Sequence, residues 1–174
     1  MRLPKPNLVV IAVFLIINLS LSPDSEPGTA YTPYLIAKED LANSVFMQAA
    51  REFENPGKIY LYGNKIYIVD LFRGVHVIDN QNRLAPVKTG FIHIPGVKDI
   101  AIKDSVLYAD NAIDLVAIDI RAYPVISVID RVELVFPEPL PPDLTFIPHR
   151  YSRQNRPDNT VLVGWFNKRA LPRP

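Results

Sequence analysis

The sequence has no cysteine, only one tryptophan and seven glycines, and its 19 basic and 18 acidic side chains nearly cancel. Without cysteine the chain can form no disulfide, no thiolate metal site and no thiol nucleophile. A net charge of +1 provides no broad positive field of the kind that binds nucleic acids, so no nucleic-acid partner is expected. The length of 174 residues is typical of one domain.

Long apolar runs are also scarce, and the one that is present lies near the N-terminus. The run Leu8 to Leu21 contains 14 residues and follows Arg2 and Lys5. A membrane-spanning helix needs about 20 residues, so the run is short for one. The pattern predicts that 1–22 is a secretory signal and that the protein is exported to a periplasm or cell envelope. The alternative is an uncleaved N-terminal anchor, which would be its only attachment to a membrane.

The centre of the chain contains an approximate repeat of about 40 residues. Runs rich in isoleucine, valine and tyrosine in 58–79 recur in 99–119, first at an offset of 41 and then of 40. One residue is therefore lost between the second and third runs. The turn pair Gly63-Asn64, in which both residues tolerate a positive φ, aligns with Asp104-Ser105. Four such runs in each unit are typical of a β-propeller blade.

These repeats predict an all-β fold with two four-stranded antiparallel, blade-like units at 57–96 and 97–136. Several runs are apolar at consecutive positions, which favours sheets that are covered on both faces. Two units cannot close a propeller, which has about four blades or more. At least one sheet face and one edge should stay uncovered, which predicts self-association or poor solubility.

The flanking segments predict less regular structure. Residues 23–33 resemble a polar linker. The pre-repeat segment 34–56 contains a short helix, predicted over 38–53 from an i+4 row of apolar side chains: Leu41, Val45, Ala49 and Phe53. The proline-rich stretch 137–158 should be extended outside any sheet, and 159–174 should form a last strand and a basic tail.

The third run of each unit carries a short motif. It is Leu115-Val116-Ala117-Ile118-Asp119 in the second unit and, in degenerate form, Val75-His76-Val77-Ile78-Asp79 in the first. These runs, and the run 54–60, resemble the LVIVD-repeat family of bacterial cell-envelope proteins. Over roughly 34–166 the resemblance implies a β-propeller fold and an envelope location, but no activity and no site residues. The chain differs from many members in being shorter and in having no cysteine after the signal segment.

Four aspartates end equivalent runs. Asp70 and Asp110 end the second runs, and Asp79 and Asp119 end the third. Repeated acids could line one end of a propeller and bind a cation through oxygen atoms. A calcium loop would show closely spaced acids and glycines at fixed positions, so turn-capping by hydrogen bonds to backbone amides is the preferred interpretation. No metal and no cofactor is predicted.

The remaining polar residues form no catalytic pattern. The histidines lack the spacing of a zinc protease, and no G-x-S-x-G elbow is present. His76 and His93 are expected on a strand surface or in the core. The aromatic and basic stretch 146–156, which includes His149 and Arg156, favours a solvated loop, with a glycan contact as the second interpretation.

Together these features predict an exported, non-enzymatic β-repeat protein that acts as a scaffold or as a binding module for a protein or glycan. A hydrolase or lyase with a site on the propeller axis is the alternative, and a truncated propeller without independent function is a third. Several tyrosines could stack on sugars, although packing between blades explains them more simply: Tyr60, Tyr62, Tyr67 and Tyr108.

Overall fold

The computed structural model describes residues 28–168, and antiparallel β-strands dominate them, which confirms the prediction of an all-β fold. One five-residue helix, α1 (Lys38–Ala42), and a 3-10 turn at His149–Tyr151 are the helical elements of this range. The signal segment predicted for 1–22 lies outside the described residues. The strands are β1 (Tyr31–Ala37), β2 (Phe46–Gln48), β3 (Pro56–Tyr62), β4 (Lys65–Asp70), β5 (Gly74–Asp79), β6 (Val87–His93), β7 (Ile100–Lys103), β8 (Val106–Asn111), β9 (Asp114–Asp119), β10 (Ser127–Val132) and β11 (Thr160–Asn167).

These strands form two larger sheets and a ribbon. The first sheet has the strand order β2-β6-β5-β4-β3 and the second has the order β10-β9-β8-β7. Each therefore contains a meander of four consecutive strands, β3 to β6 or β7 to β10. In the ribbon, β1 pairs antiparallel with β11, so that the two ends of the described chain lie side by side.

The turns account for the change of offset between the two repeats. Three residues, 71–73, join β4 to β5, whereas only Ala112 and Ile113 join β8 to β9. The lost residue thus belongs to this turn. In the β3–β4 turn Gly63 alone of its pair has a positive φ, 57°. In the β7–β8 turn both residues have one, so the two hairpin turns adopt different conformations despite their alignment.

The two larger sheets share one hydrophobic core. Side chains from β4, β5 and β6 meet side chains from β7, β8 and β9. The buried members include Tyr67, Val69, Val75, Val77 and Ile92 of the first sheet, and Ile100, Ile102, Leu107, Ala109, Val116 and Ile118 of the second. Burying each large aliphatic side chain stabilises the fold by about 1.5–3 kcal/mol, so this contact dominates the packing of the molecule.

The helix predicted over 38–53 is wrong beyond Ala42. Residues 46–48 form β2, which pairs antiparallel with β6 along the edge of the first sheet. Helix propensity is a weak preference, and the open hydrogen-bonding edge of β6 outweighs the i+4 pattern here. The predicted linker also differs, because β1 begins at Tyr31 and pairs with β11.

Residues 137–159 run between the second sheet and β11 without forming a strand. The prediction of a solvated loop over 146–156 is wrong for Arg156, which is 8% exposed. The carboxylate of Glu138 binds its guanidinium and that of Arg153. This cluster ties the start of the segment to its later part. The Trp165 Nε1 donates to the carbonyl of Pro139 and links the segment to β11. Within 28–168 no helix is long and apolar enough to cross a membrane.

Candidate functional site

Asp70 and Asp110 lie near the ends of the second strands and make similar hydrogen bonds, although the alignment of the strands matches Asp110 with Val69. The Asp70 carboxylate accepts from the backbone amides of Glu54 at 3.1 Å and Asn55 at 2.8 Å. The Asp110 carboxylate accepts from the amides of residues 98–99 at 2.8 and 2.9 Å. In each unit, a carboxylate at the end of the second strand therefore fixes the chain just before the first strand.

Asp79 and Asp119 cap the turns that follow the third strands. Asp79 accepts from the amide of Gln81 at 2.8 Å, and Asp119 accepts from the amide of Arg121 at 2.9 Å. Hydrogen bonds from the Arg121 side chain and amide lower the pKa of Asp119 to about 2. Among residues 28–168 no three metal-ligating side chains come together. The four aspartates thus serve separate turns and strand ends.

The first unit also contains a buried contact between a histidine and an aspartate. His76 Nε2 lies 3.0 Å from Asp70 Oδ2, and the two side chains are 1% and 0% exposed. The histidine ring contacts Phe53 and Phe91, with centroid distances of 4.4 and 4.8 Å, and its Nδ1 has no partner in the described structure. Burial alone would raise the pKa of Asp70, but the hydrogen bonds from His76 and from the two amides outweigh burial and lower it. Val116 replaces His76 in the second unit, so the pair is not repeated.

A cleft of about 420 Å³ lies between the β1–β11 ribbon and the β4–β5 turn. The ribbon contributes three aromatic residues, Tyr34, Trp165 and Phe166. The Trp165 Nε1 donates to the carbonyl of Pro139 at 2.8 Å, and the rings of Tyr34 and Phe166 lie 5.1 Å apart. These contacts hold the rings in fixed orientations and give one wall of the cleft an aromatic surface.

The opposite wall is charged. Arg73 Nη2 lies 2.7 Å from Glu54 Oε2, and Arg51 binds the other oxygen of the same carboxylate. The guanidinium of Arg51 also lies over the ring of Phe91, 4.9 Å from its centroid. Each guanidinium has five N–H donors, more than one shared carboxylate can accept. The two arginines, which are 35% and 42% exposed, therefore leave donors and net positive charge facing the cleft.

His93 adds a polar edge to the cleft. Its Nδ1 lies 2.8 Å from the carbonyl oxygen of Ser44, and its ring stacks on Phe46 at 4.8 Å. Since a carbonyl only accepts, Nδ1 carries the proton in this contact. In the neutral ring Nε2 is then a hydrogen-bond acceptor.

Phe72 lines the cleft in a strained backbone conformation, with φ at 66°. Its amide donates to the carbonyl of Val97 at 2.7 Å, and its carbonyl accepts from the amide of Gly96 at 3.0 Å. Its ring packs at Gly164, where a Cβ would lie 3.3 Å from the nearest ring atom. A left-handed conformation costs a non-glycine residue about 1–2 kcal/mol, and such residues cluster at functional sites. The equivalent turn residue Ala112 has a φ of 60°, so this conformation belongs to the repeated turn, and at Phe72 it holds the ring against the cleft wall.

The sequence does not predict this cleft. His93 is expected only on a strand surface or in the core, and Arg51 is expected in a helix that in fact ends at Ala42. No local spacing could have predicted the site, because its walls come from both ends of the described chain and from the β4–β5 turn. The only sequence signal was the lone tryptophan, which aromatic sites often contain.

Comparison with known proteins adds no assignment to this geometry. No family model, curated protein or solved structure matches the chain. The resemblance to the LVIVD-repeat family therefore stays a prediction, and the cleft is assigned from its geometry and chemistry alone.

Proposed function

We propose that the protein is a non-catalytic binding module whose ligand site is the cleft between the ribbon and the β4–β5 turn. The observation that carries this proposal is the convergence of two arginines with the rings of Tyr34 and Phe166 at one cleft. Guanidinium groups bind carboxylates and phosphates through paired N–H donors, and aromatic faces pack against rings. The proposed ligand is a small molecule that carries a carboxylate or phosphate on a sugar ring or apolar ring.

The side chains of the cleft suit binding better than catalysis. A general base must reach the proton that it removes, and a nucleophile needs a base beside it. His93 directs its protonated nitrogen to the backbone carbonyl of Ser44, and two arginines share the carboxylate of Glu54. These contacts position recognition groups, and no serine, threonine or cysteine is among the described residues that line the cleft to serve as a nucleophile for His93.

We also propose that the fold is of the β-propeller type and that the protein is exported to a periplasm or cell envelope. The two sheets are propeller-type blades, which is supported by their meander topology, their face-to-face packing and the repeat of about 40 residues. Export is supported by the apolar run Leu8 to Leu21 behind Arg2. Bacterial expression of the full chain, fractionation and N-terminal sequencing check this part. An unprocessed protein in the cytoplasm would contradict it.

Trp165 allows a direct test of ligand binding, because it lines the cleft and is the only tryptophan in the sequence. Titration of the full chain with glucuronate should change its fluorescence saturably, whereas glucose should bind at least about tenfold more weakly. Charge-assisted hydrogen bonds contribute about 1.5–3 kcal/mol, so Arg73→Gln should weaken glucuronate binding by about tenfold or more.

Arg83→Gln is the matched control, since it removes the same charge from an exposed position outside the cleft. Its affinity for glucuronate should equal that of the unmodified chain. Glucose 6-phosphate and benzoate test the phosphate and the apolar ring. Equal effects of the two arginine substitutions, or no saturable response to any of the three anions, would show that the cleft is not an anion-binding site.

A further inference from the structure

The two sheets pack against each other through non-equivalent faces: the face that the first sheet uses differs from the face that the second sheet uses. Alternate residues of a strand point to opposite faces of its sheet, so each sheet has a face P and a face Q. Face P is marked by Tyr60, Tyr62, Tyr67 and Val69 in the first sheet, and by Ala101, Lys103, Tyr108 and Asp110 in the second. Face Q is marked by Ile59, Leu61, Ile66 and Ile68, and by Ile100, Ile102, Leu107 and Ala109. Corresponding positions are 41 residues apart.

Face P of the first sheet covers face Q of the second. The four marker residues of the covered face Q are 0 to 6% exposed. The hydroxyl of Tyr60 donates to the carbonyl of Ile102 at 3.2 Å, and the hydroxyl of Tyr62 accepts from the amide of Ser105 at 2.9 Å. Apolar packing and specific hydrogen bonds therefore both hold this contact.

The other two faces are open only in part. On face Q of the first sheet, Ile59 is 67% and Leu61 is 63% exposed, whereas their counterparts in the second sheet are 3% and 6% exposed. The N-terminal segment covers the rest of this face, where His76 and Phe91 are at most 1% exposed. On face P of the second sheet, Tyr108 is 38% exposed, although its counterpart Tyr67 is only 2% exposed. One molecule thus presents an exposed patch on one face of each kind, at β3 in the first sheet and at β7 and β8 in the second.

We infer that a second copy of this chain covers the exposed patch on face Q of the first sheet with face P of its own second sheet. Such a contact is head-to-tail, because the two surfaces that meet are different. This contact between two molecules would repeat the contact within one molecule, in which face P of one sheet covers face Q of the next. It would also cover contiguous apolar side chains that soluble proteins seldom leave exposed.

Charges at the border of the two faces favour this partner. Within the chain, Lys58 Nζ of the first sheet lies 2.7 Å from the carboxylate of Asp99 of the second. These positions are also 41 residues apart, so a head-to-tail contact would bring Asp99 of one copy to Lys58 of the next. The side chains are 51% and 62% exposed, which leaves room for a second contact. A symmetric contact between two Q faces of the first sheet would not bring Lys58 to Asp99, because Asp99 lies directly before β7 of the second sheet.

Repetition of the head-to-tail contact closes into a ring when the rotation between neighbouring sheets permits it. Propellers contain about four to eight blades, and each chain supplies two sheets, so a ring would hold about two to four copies. The inference concerns the sheet faces alone and does not depend on the ligand cleft.

Cysteine cross-linking tests the direction of the contact, because the natural sequence has no cysteine. In the full chain, Lys58→Cys places a thiol beside face Q of the first sheet, and Asp99→Cys places one beside the second sheet. A mixture of the two variants, treated with a short bismaleimide, should give cross-linked dimers. Each variant alone should give at least about tenfold less, because identical positions do not meet in a head-to-tail contact.

Two further substitutions in the cross-linking pair test the surface. Leu61→Asp should lower the cross-linked yield at least about tenfold, because association would bury an unpaired charge. Val125→Asp, at a 70% exposed residue outside both faces, should leave the yield unchanged. Far-UV circular dichroism checks that both variants fold.

Two results would overturn the inference. Efficient cross-linking of Lys58→Cys alone would indicate a symmetric contact between two Q faces. A monomer by light scattering, with no cross-link in the mixture, would mean that another part of the protein or a different partner covers the open faces.

Discussion

A single carboxylate, Asp70, organises the start of the first sheet. It accepts two backbone amides from the segment before β3 and also contacts the buried ring of His76. An unpaired buried carboxylate would be unfavourable, so these three partners are required for its burial. Asp110 makes similar amide contacts near the end of β8, so a carboxylate fixes the chain at the start of both sheets.

Asp70→Asn is expected to lower the free energy of unfolding by about 1–3 kcal/mol, the usual cost of leaving buried hydrogen-bonding groups without partners. Asparagine keeps one acceptor oxygen for the amides, but its NH2 group cannot accept from a further donor. Urea denaturation at neutral pH measures the change. Asp79→Asn, in an exposed turn, should change stability by no more than about 0.5 kcal/mol. Equal losses in the two variants would contradict this role for Asp70.

The Asp70 carboxylate should also contribute to the loss of folding stability at low pH. The folded-state pKa of Asp70 lies below its ordinary value. The pKa of Glu138 is lowered as well, because hydrogen bonds from Arg156 and Arg153 outweigh the effect of burial. A lowered pKa contributes stability that is complete above the unfolded-state value and is lost as the pH falls through the folded-state value. Asp70→Asn should therefore lose less stability than the unmodified protein between about pH 5 and pH 3. Parallel curves would exclude a contribution from Asp70.

At the level of elements, the β1–β11 ribbon depends on a small apolar cluster of its own. Leu41 of α1 and the β8–β9 turn residues Ala112 and Ile113 pack with Val161 and Val163 of β11. This cluster is separate from the core that the two larger sheets share. The ribbon, which forms the aromatic wall of the cleft, can therefore open while the sheets stay folded.

Ile113→Ala tests this independence. Removing the buried side chain, which is 5% exposed, should cost about 2–5 kcal/mol of ribbon docking. Amide hydrogen exchange should then accelerate in β1 and β11 more than in β4 and β5. Ile129→Ala, at a 54% exposed residue of β10, is the matched control and should leave exchange unchanged. Uniform acceleration across all strands would show that the ribbon and the sheets open together.

At the level of the whole molecule, the two sheets should unfold as one unit, because each supplies one side of a single core. Neither sheet buries these side chains by itself. The prediction follows from packing, since a sheet that lost its partner would expose a complete apolar face.

Leu107→Ala, at a residue with 0% exposure in that core, should destabilise the protein by about 2–5 kcal/mol. Amide hydrogen exchange along a urea titration should show β5 of the first sheet and β8 of the second losing protection together, in the unmodified chain and in the variant. Leu84→Ala makes the same chemical change at a 97% exposed position and should be nearly neutral. Separate transitions for the two sheets would contradict a shared core.

The sequence by itself determined the β content, the repeat and the positions of most turns. These properties depend on neighbouring residues: isoleucine, valine and tyrosine favour strands, and Gly63-Asn64 or a shortened turn such as 112–113 ends them. The role of Asp79 and Asp119 in turns could be predicted for the same reason, since each bonds an amide two residues further along the chain.

Only the tertiary structure decided where β2 pairs, how β1 meets β11 and which sheet faces stay open. Residues 46–48 carry a helical pattern but form a strand because the edge of β6 offers unpaired backbone groups. Arg51, Arg73 and Trp165 line one cleft although they lie in distant parts of the chain. Sequence spacing could not predict that these residues lie close together. Ile59 and Ile100 are chemically identical and occupy equivalent positions, yet one is exposed and the other buried. Their exposed fractions differ because the first sheet covers Ile100, whereas no sheet covers Ile59 within the described chain. This depends on the packing of the sheets and not on the local sequence.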